Sequence, residues 1–167
     1  MKNIILIGFM GTGKTASAKA LAERLNMRYV STDAMIEERE GITISDIFLK
    51  KGESYFRDLE TRVAKDLSKD SNTVIDAGGG IVLREENISA LKKSGILVAL
   101  TARVDKILER TKGRAHRPIL NVPDPRAKIE ELLKIRAPFY AKADFKIDTT
   151  DLSTTEVIDN IILSVKS

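Results

Sequence analysis

The chain has 167 residues, 43% of them hydrophobic and 31% charged, the balance of a folded globular domain and not of a disordered one. It has no cysteine and a single histidine, His116, which excludes disulfides, iron–sulfur clusters, Cys-ligated zinc and any His-cluster metal site. The formal charge is +4, and the basic residues are scattered with no arginine-rich tract, so small anions are favoured over nucleic acid as ligands.

Strands and helices alternate along the chain. Asn3–Ile7 reads as a buried strand, and its apolar run is far shorter than the ~20 residues of a membrane helix. It leads into Gly-Thr-Gly-Lys-Thr instead of a small-residue cleavage site, so it does not read as a signal peptide. Thr15–Leu25 is helical, with Ala18, Leu21, Ala22 and Leu25 on one face. Arg28–Ser31 is a second strand, and Met35–Arg39 a short helix ended by Gly41. Ser45–Lys51 and Tyr55–Lys69 are helical pieces broken at Gly52, and Thr73–Asp76 is a third strand running into Gly78, Gly79 and Gly80.

Glu85–Lys93 is helical, Ile96–Leu100 a strand and Val104–Arg110 a helix. Thr111–Asp124 shows no periodicity, and gaps of that length in compact domains usually serve as lids or binding loops. Pro125 opens a helix through Ile135, Phe145–Asp148 is a last strand, and Ser153 with Glu156 forms a capping box before the final helix. Five strands alternating with helices predict a three-layer α/β/α domain over residues 1–167, built on a five-stranded parallel sheet.

Gly8-Phe9-Met10-Gly11-Thr12-Gly13-Lys14-Thr15 fits G-x-x-x-x-G-K-[ST]. The glycines let successive backbone N–H groups turn toward phosphate oxygens, and the following helix presents its positive end to the same anion. Lys14 reaches the β- and γ-phosphates, and the Thr15 hydroxyl suits Mg²⁺. The strand before the motif and the amphipathic helix after it make a nucleoside triphosphate the expected ligand.

No Asn-Lys-x-Asp guanine-reading tetrad is present, and a small-molecule kinase needs an acceptor pocket beside the γ-phosphate. Asp33 sits past the second strand, at the sheet edge where open α/β proteins bind ligands, and a carboxylate there orients or deprotonates an acceptor hydroxyl. It also suits the N-cap of the helix Met35–Arg39, and both roles can hold at once. The glycine triplet lets backbone N–H groups approach a ligand, or it forms a plain tight turn. Val74-Ile75-Asp76 is similar to a Walker B strand, whose Asp holds Mg²⁺ directly or through water. Arg57 and Arg136 carry the planar fork that matches a substrate carboxylate. Arg110, Lys112, Arg114 and Arg117 make Arg110–Pro118 dense in cations, a candidate basic lid that excludes water from the transfer site.

These features together resemble the shikimate kinase family over essentially the whole chain. The resemblance rests on the phosphate loop, on Ser31-Thr32-Asp33 with Ile36-Glu37, and on Ile47-Phe48, Gly52-Glu53, Phe56-Arg57 and Glu60. It rests also on Gly78–Gly80, on Arg110-Thr111 with Arg117-Pro118-Ile119-Leu120, and on Arg136-Ala137-Pro138-Phe139-Tyr140. It implies a nucleoside-monophosphate-kinase-like P-loop fold with an acceptor segment over about 33–60 and a mobile lid over about 111–124. It further implies ATP- and Mg²⁺-dependent phosphorylation of the 3-hydroxyl of shikimate in the chorismate and aromatic amino-acid pathway.

Residue by residue, the resemblance implies that Gly11, Thr12, Gly13, Lys14, Thr15 and Ala16 wrap the triphosphate. Arg110 would flank the adenine, and Arg117 would reach the phosphates. Asp33 would contact the acceptor hydroxyls and Arg57 and Arg136 the shikimate carboxylate, with Gly78, Gly79 and Gly80 adding backbone contacts. Thr15 and Asp76 would serve the metal. Family members often carry Asp where Ser31 stands, so Asp76 and water are expected to take more of that task here. A monomer in the cytoplasm, with no nucleic-acid or membrane partner, is the expectation. Another small-acceptor kinase, such as a gluconate kinase, and a non-catalytic nucleotide-binding module remain the competing readings.

Overall fold

The computed structural model describes residues 1–112 and 121–167. Five strands form one parallel sheet: β1 (Asn3–Gly8), β2 (Arg28–Ser31), β3 (Thr73–Asp76), β4 (Gly95–Thr101) and β5 (Phe145–Asp148), in the order β2-β3-β1-β4-β5. All six residues of the central strand β1 are buried, as expected for a strand covered on both faces.

The period-two pleat sends alternate residues of β1 into two cores. Ile5 and Ile7 pack with Ile36 of α2 (Thr32–Glu40), Ile47 of α3 (Ile44–Lys51), Phe56 and Val63 of α4 (Glu53–Leu67) and Leu91 of α5 (Glu85–Ser94). Ile4 and Leu6 pack on the opposite face with Leu21 of α1 (Lys14–Leu25) and Ile161 of α8 (Thr154–Lys166). Leu21 and Ile161 are fully buried, and truncating either to Ala would cost roughly 2–5 kcal/mol. A third cluster joins Phe9 to Ile107 of α6 (Val104–Thr111) and Ile129 of α7 (Pro125–Tyr140), and so ties those helices to the loop after β1.

Two helices depart from the sequence expectation in ways that matter for the site. Helix α2 starts at Thr32 and not at Met35, because the Ser31 hydroxyl accepts a hydrogen bond from the Ala34 N–H at 3.2 Å and acts as the N-cap. Asp33 therefore lies in the first turn and is not the cap. Helix α7 continues past Ile135 and through Pro138 to Tyr140. Proline forfeits only its own N–H bond near this end, Ala141 N–H still reaches Ala137 O at 3.0 Å, and Arg136 and Tyr140 are buried (5% exposed each). Of the expected lid over 111–124, Thr111 belongs to the end of α6. Gly113–Leu120, including Arg117 and His116, lie outside the described residues.

Candidate active site

The phosphate loop joins the carboxyl end of β1 to α1. Gly11 and Gly13 adopt left-handed φ values of 77° and 89°, and a Cβ on Gly11 would stand 2.9 Å from Thr111 Cγ2, so a side chain is excluded by backbone and neighbour alike. No side chain caps α1, which leaves its first-turn N–H groups for a ligand. Lys14 Nζ donates to Gly8 O at 2.8 Å. Thr12 is 1% exposed and its hydroxyl donates to Phe9 O at 2.7 Å, and of the expected loop residues Gly11–Ala16 it alone is missing from the lining of the site's cavity.

Asp76 ends β3 beside this loop. Its Oδ2 accepts from the Thr15 hydroxyl at 2.7 Å and from the Tyr29 hydroxyl at 3.2 Å. Burial, then the adjacent Asp76 charge, push the Tyr29 phenol up to about 12, so it stays a donor. Tyr29 escaped the sequence reading because a tyrosine in a short strand carries no motif. Hard oxygen donors at Thr15 and Asp76 fit Mg²⁺. No group of three or more His, Cys, Asp or Glu side chains among the described residues could hold a metal, so a metal here needs oxygens from nucleotide and water as well.

On the acceptor side, each glycine of the triplet is faced by one predicted site residue. A Cβ on Gly78 would lie 2.5 Å from Asp33 Oδ1. One on Gly79 would lie 3.2 Å from Arg136 Nη1. One on Gly80 would lie 2.6 Å from Arg57 Cζ. The turn is held by the Gly78 N–H donating to Thr32 Oγ1 at 2.8 Å and by the Tyr140 hydroxyl donating to Gly79 O at 3.1 Å. Arg136 also stacks over the Phe9 ring, 5.4 Å from its centroid.

Arg57 is held by Glu60 at 2.6 Å and by Glu53 at 3.2 Å. Glu60 is 1% exposed, and its Oε2 has no hydrogen-bond partner among the described residues. Burial pushes its carboxyl up to about 7 against the opposing pull of the Arg57 charge. In the sequence Glu60 stood only as one member of a motif; its burial is a tertiary fact.

Gly11, Gly13, Lys14, Thr15, Ala16, Asp33, Arg57, Asp76, Gly78–Gly80, Arg110 and Arg136 line one cavity of about 620 Å³. Phe48, Phe56 and Ile44 give it an apolar wall. Arg110 donates to Gly11 O at 3.1 Å and to Thr149 O at 2.9 Å. A phosphate cradle and a pocket with two guanidiniums and two carboxylates thus share one opening, the layout a phosphoryl transfer to a small hydroxylated acid needs.

Comparison with known proteins gives the family. The shikimate kinase family model matches residues 10–166. A shikimate kinase of Thermodesulfovibrio yellowstonii is 49% identical over 97% of this chain and 94% of its own length. The solved shikimate kinase from Acinetobacter baumannii in complex with shikimate is 38% identical, covers 97% of this chain and 91% of its own, and superposes with a TM-score of 0.93. A gluconokinase from Sinorhizobium meliloti, 17% identical with a TM-score of 0.65 over 99% of this chain and 91% of its own, shares the fold.

Proposed function

The chain belongs to the shikimate kinase family, and on that premise we propose how its residues divide the work. The protein phosphorylates the 3-hydroxyl of shikimate with ATP, giving shikimate 3-phosphate for chorismate and aromatic amino-acid biosynthesis. The observation that carries the assignment of roles is the one-to-one facing of Asp33, Arg136 and Arg57 with Gly78, Gly79 and Gly80 in the cavity that also holds the phosphate loop.

In this reading the N–H groups of Gly11–Ala16 and the Lys14 ammonium bind the triphosphate, and Arg110 flanks the adenine. Arg57 and Arg136 hold the acceptor carboxylate, with backbone contacts from Gly78–Gly80. Asp33 then orients the attacking hydroxyl and accepts its proton as the new oxygen–phosphorus bond forms and the bond from the γ-phosphorus to ADP breaks. Arg117 reaches the transferring phosphoryl from the segment 111–124. Thr15 and Asp76 would hold Mg²⁺, which when bound offsets charge on the phosphates. An acceptor without the carboxylate or the hydroxyl forgoes contacts that these groups are placed to make, which is how the site selects its substrate.

The scattered basic residues support small-molecule partners without nucleic acid, and no described helix is long and apolar enough to cross a membrane, in keeping with work in the cytoplasm. The test is ADP release from Mg-ATP with shikimate, with gluconate and with no acceptor side by side. Shikimate-dependent turnover is expected. Stimulation by gluconate alone would move the assignment to the gluconate kinase reading, and ATP binding without stimulation by either acid would leave a nucleotide-binding module.

A further inference from the structure

The carbonyls of the phosphate loop are tied back. Gly8 O accepts from Lys14 Nζ, Phe9 O from the Thr12 hydroxyl and Gly13 O from Ser17 N–H. The two at the apex are held by residues far along the chain: Gly11 O by Arg110 Nη1 at 3.1 Å and Thr12 O by Thr149 Oγ1 at 2.9 Å. Thr149 directly follows β5, is 2% exposed, and lies outside every motif read from the sequence.

Its bonds converge. The Thr149 hydroxyl lies within donating distance of Thr12 O and of Thr101 O (3.1 Å), and it accepts from Arg110 Nη1 at 3.1 Å. Its carbonyl accepts from Arg110 Nη2 at 2.9 Å. One buried side chain therefore fixes both the loop apex and the arginine that pins the neighbouring peptide.

A trans peptide is planar, so its N–H points opposite to its carbonyl, and no cis peptide occurs among the described residues. Holding Thr12 O toward Thr149 aims the Gly13 N–H the other way. Holding Gly11 O toward Arg110 does the same for the Thr12 N–H. An anion nest works only when successive N–H groups stay aimed at one point, and glycines at both positions would otherwise let these peptides rotate.

We propose that Thr149 is a positioning residue for nucleotide binding: it locks the Thr12 and Arg110 contacts together, so that the apex N–H groups are already aimed before phosphate arrives. This rests on the ATP site assigned above, and it concerns the phosphate end and not the acceptor end. A residue that merely stapled β5 to β4 would act on the fold without preference between the two substrates.

The test compares Thr149→Val, which keeps the shape and removes the hydroxyl, with Thr149→Ser, which restores it. Binding of ADP and, separately, of shikimate is measured by calorimetry. Loss of one hydrogen-bonding hydroxyl at a buried polar junction should weaken ADP binding about ten-fold in the Val variant, whereas the Ser variant stays within about two-fold of wild type. Shikimate binding should not change in either. Unchanged ADP affinity in the Val variant, an equal loss in the Ser variant, or a parallel loss for shikimate would each overturn the proposal. If neither Thr149→Val nor Thr149→Ala yields folded protein, the residue is structural and the proposal falls. Wild-type protein that fails to bind ADP would instead overturn the ATP site itself.

Discussion

Asp33 and Gly78 are fitted to each other: the carboxylate of one occupies the space that a Cβ on the other would need, at 2.5 Å from Oδ1. The first turn of α2 can bring Asp33 to the carboxyl end of β3 only because position 78 has no side chain. The Thr32 hydroxyl, one residue earlier, fastens the same turn through the Gly78 N–H.

Gly78→Ala should therefore displace the Asp33 carboxylate without touching the phosphate loop. A shift of about 1 Å in a reacting group costs on the order of 100-fold, so shikimate-dependent kcat/KM should fall by about that factor. ADP affinity, measured by calorimetry, should stay as in wild type. An equal loss of ADP binding would show that the change had spread beyond the acceptor pocket.

Glu60 gives the acceptor pocket a pH dependence. Its folded value near 7 lies above the 4.5 of an ordinary glutamate, so the folded state holds a proton that the unfolded state releases. The stability this group contributes is complete below about pH 4.5 and is lost as pH rises toward 7. An anionic acceptor held by Arg57 raises the Glu60 value further, so shikimate binding takes up a proton and tightens as pH falls through 7. Calorimetry between pH 6 and 8 should show affinity decreasing with pH in the wild type, and a flatter profile in Glu60→Gln. A profile unchanged by that substitution would refute the role of Glu60.

Arg136→Ala removes a buried guanidinium assigned to the acceptor carboxylate. Hydrogen bonds to charged groups are worth roughly 1.5–3 kcal/mol, so the KM for shikimate should rise roughly 10- to 100-fold with a much smaller change in kcat. Steady-state kinetics with shikimate varied at saturating Mg-ATP measures this split. An unchanged KM would refute the assignment.

Asp76→Asn keeps the size of the side chain that receives the Thr15 and Tyr29 hydroxyls but removes its charge. The Mg²⁺ concentration giving half-maximal rate should rise about 10- to 100-fold, as when a metal ligand or its support is altered. The affinity for ADP measured in EDTA should change little. A variant with wild-type Mg²⁺ dependence would remove Asp76 from the metal assignment.

The phosphate loop was legible because its chemistry is local: eight consecutive residues set their own backbone turn, and β1 before and α1 after supply the frame. Strand and helix order was legible for the same reason, through apolar periodicity. Residue type alone suits Asp33 to cap the helix, to contact the acceptor, or to do both, and the Ser31 hydroxyl takes the cap. The apolar pattern carries this helix only to Ile135, whereas α7 runs through Pro138 to Tyr140, where the buried Arg136 and Tyr140 hold the last turn in place.

By itself the sequence determined that this protein has a phosphate-binding loop on a parallel α/β sheet, together with residues suited to a hydroxylated acid. Only the tertiary structure decided which of them meet. The order β2-β3-β1-β4-β5 sets β3 between β2 and β1, and so brings the Tyr29 and Thr15 hydroxyls onto the Asp76 carboxylate. The same packing seats Arg57 and Arg136 over neighbouring glycines, buries Glu60 beside Arg57 and anchors Thr12 to Thr149 across 137 residues of chain. Those contacts depend on desolvation and close approach between distant segments, and neither is written in any stretch of contiguous residues.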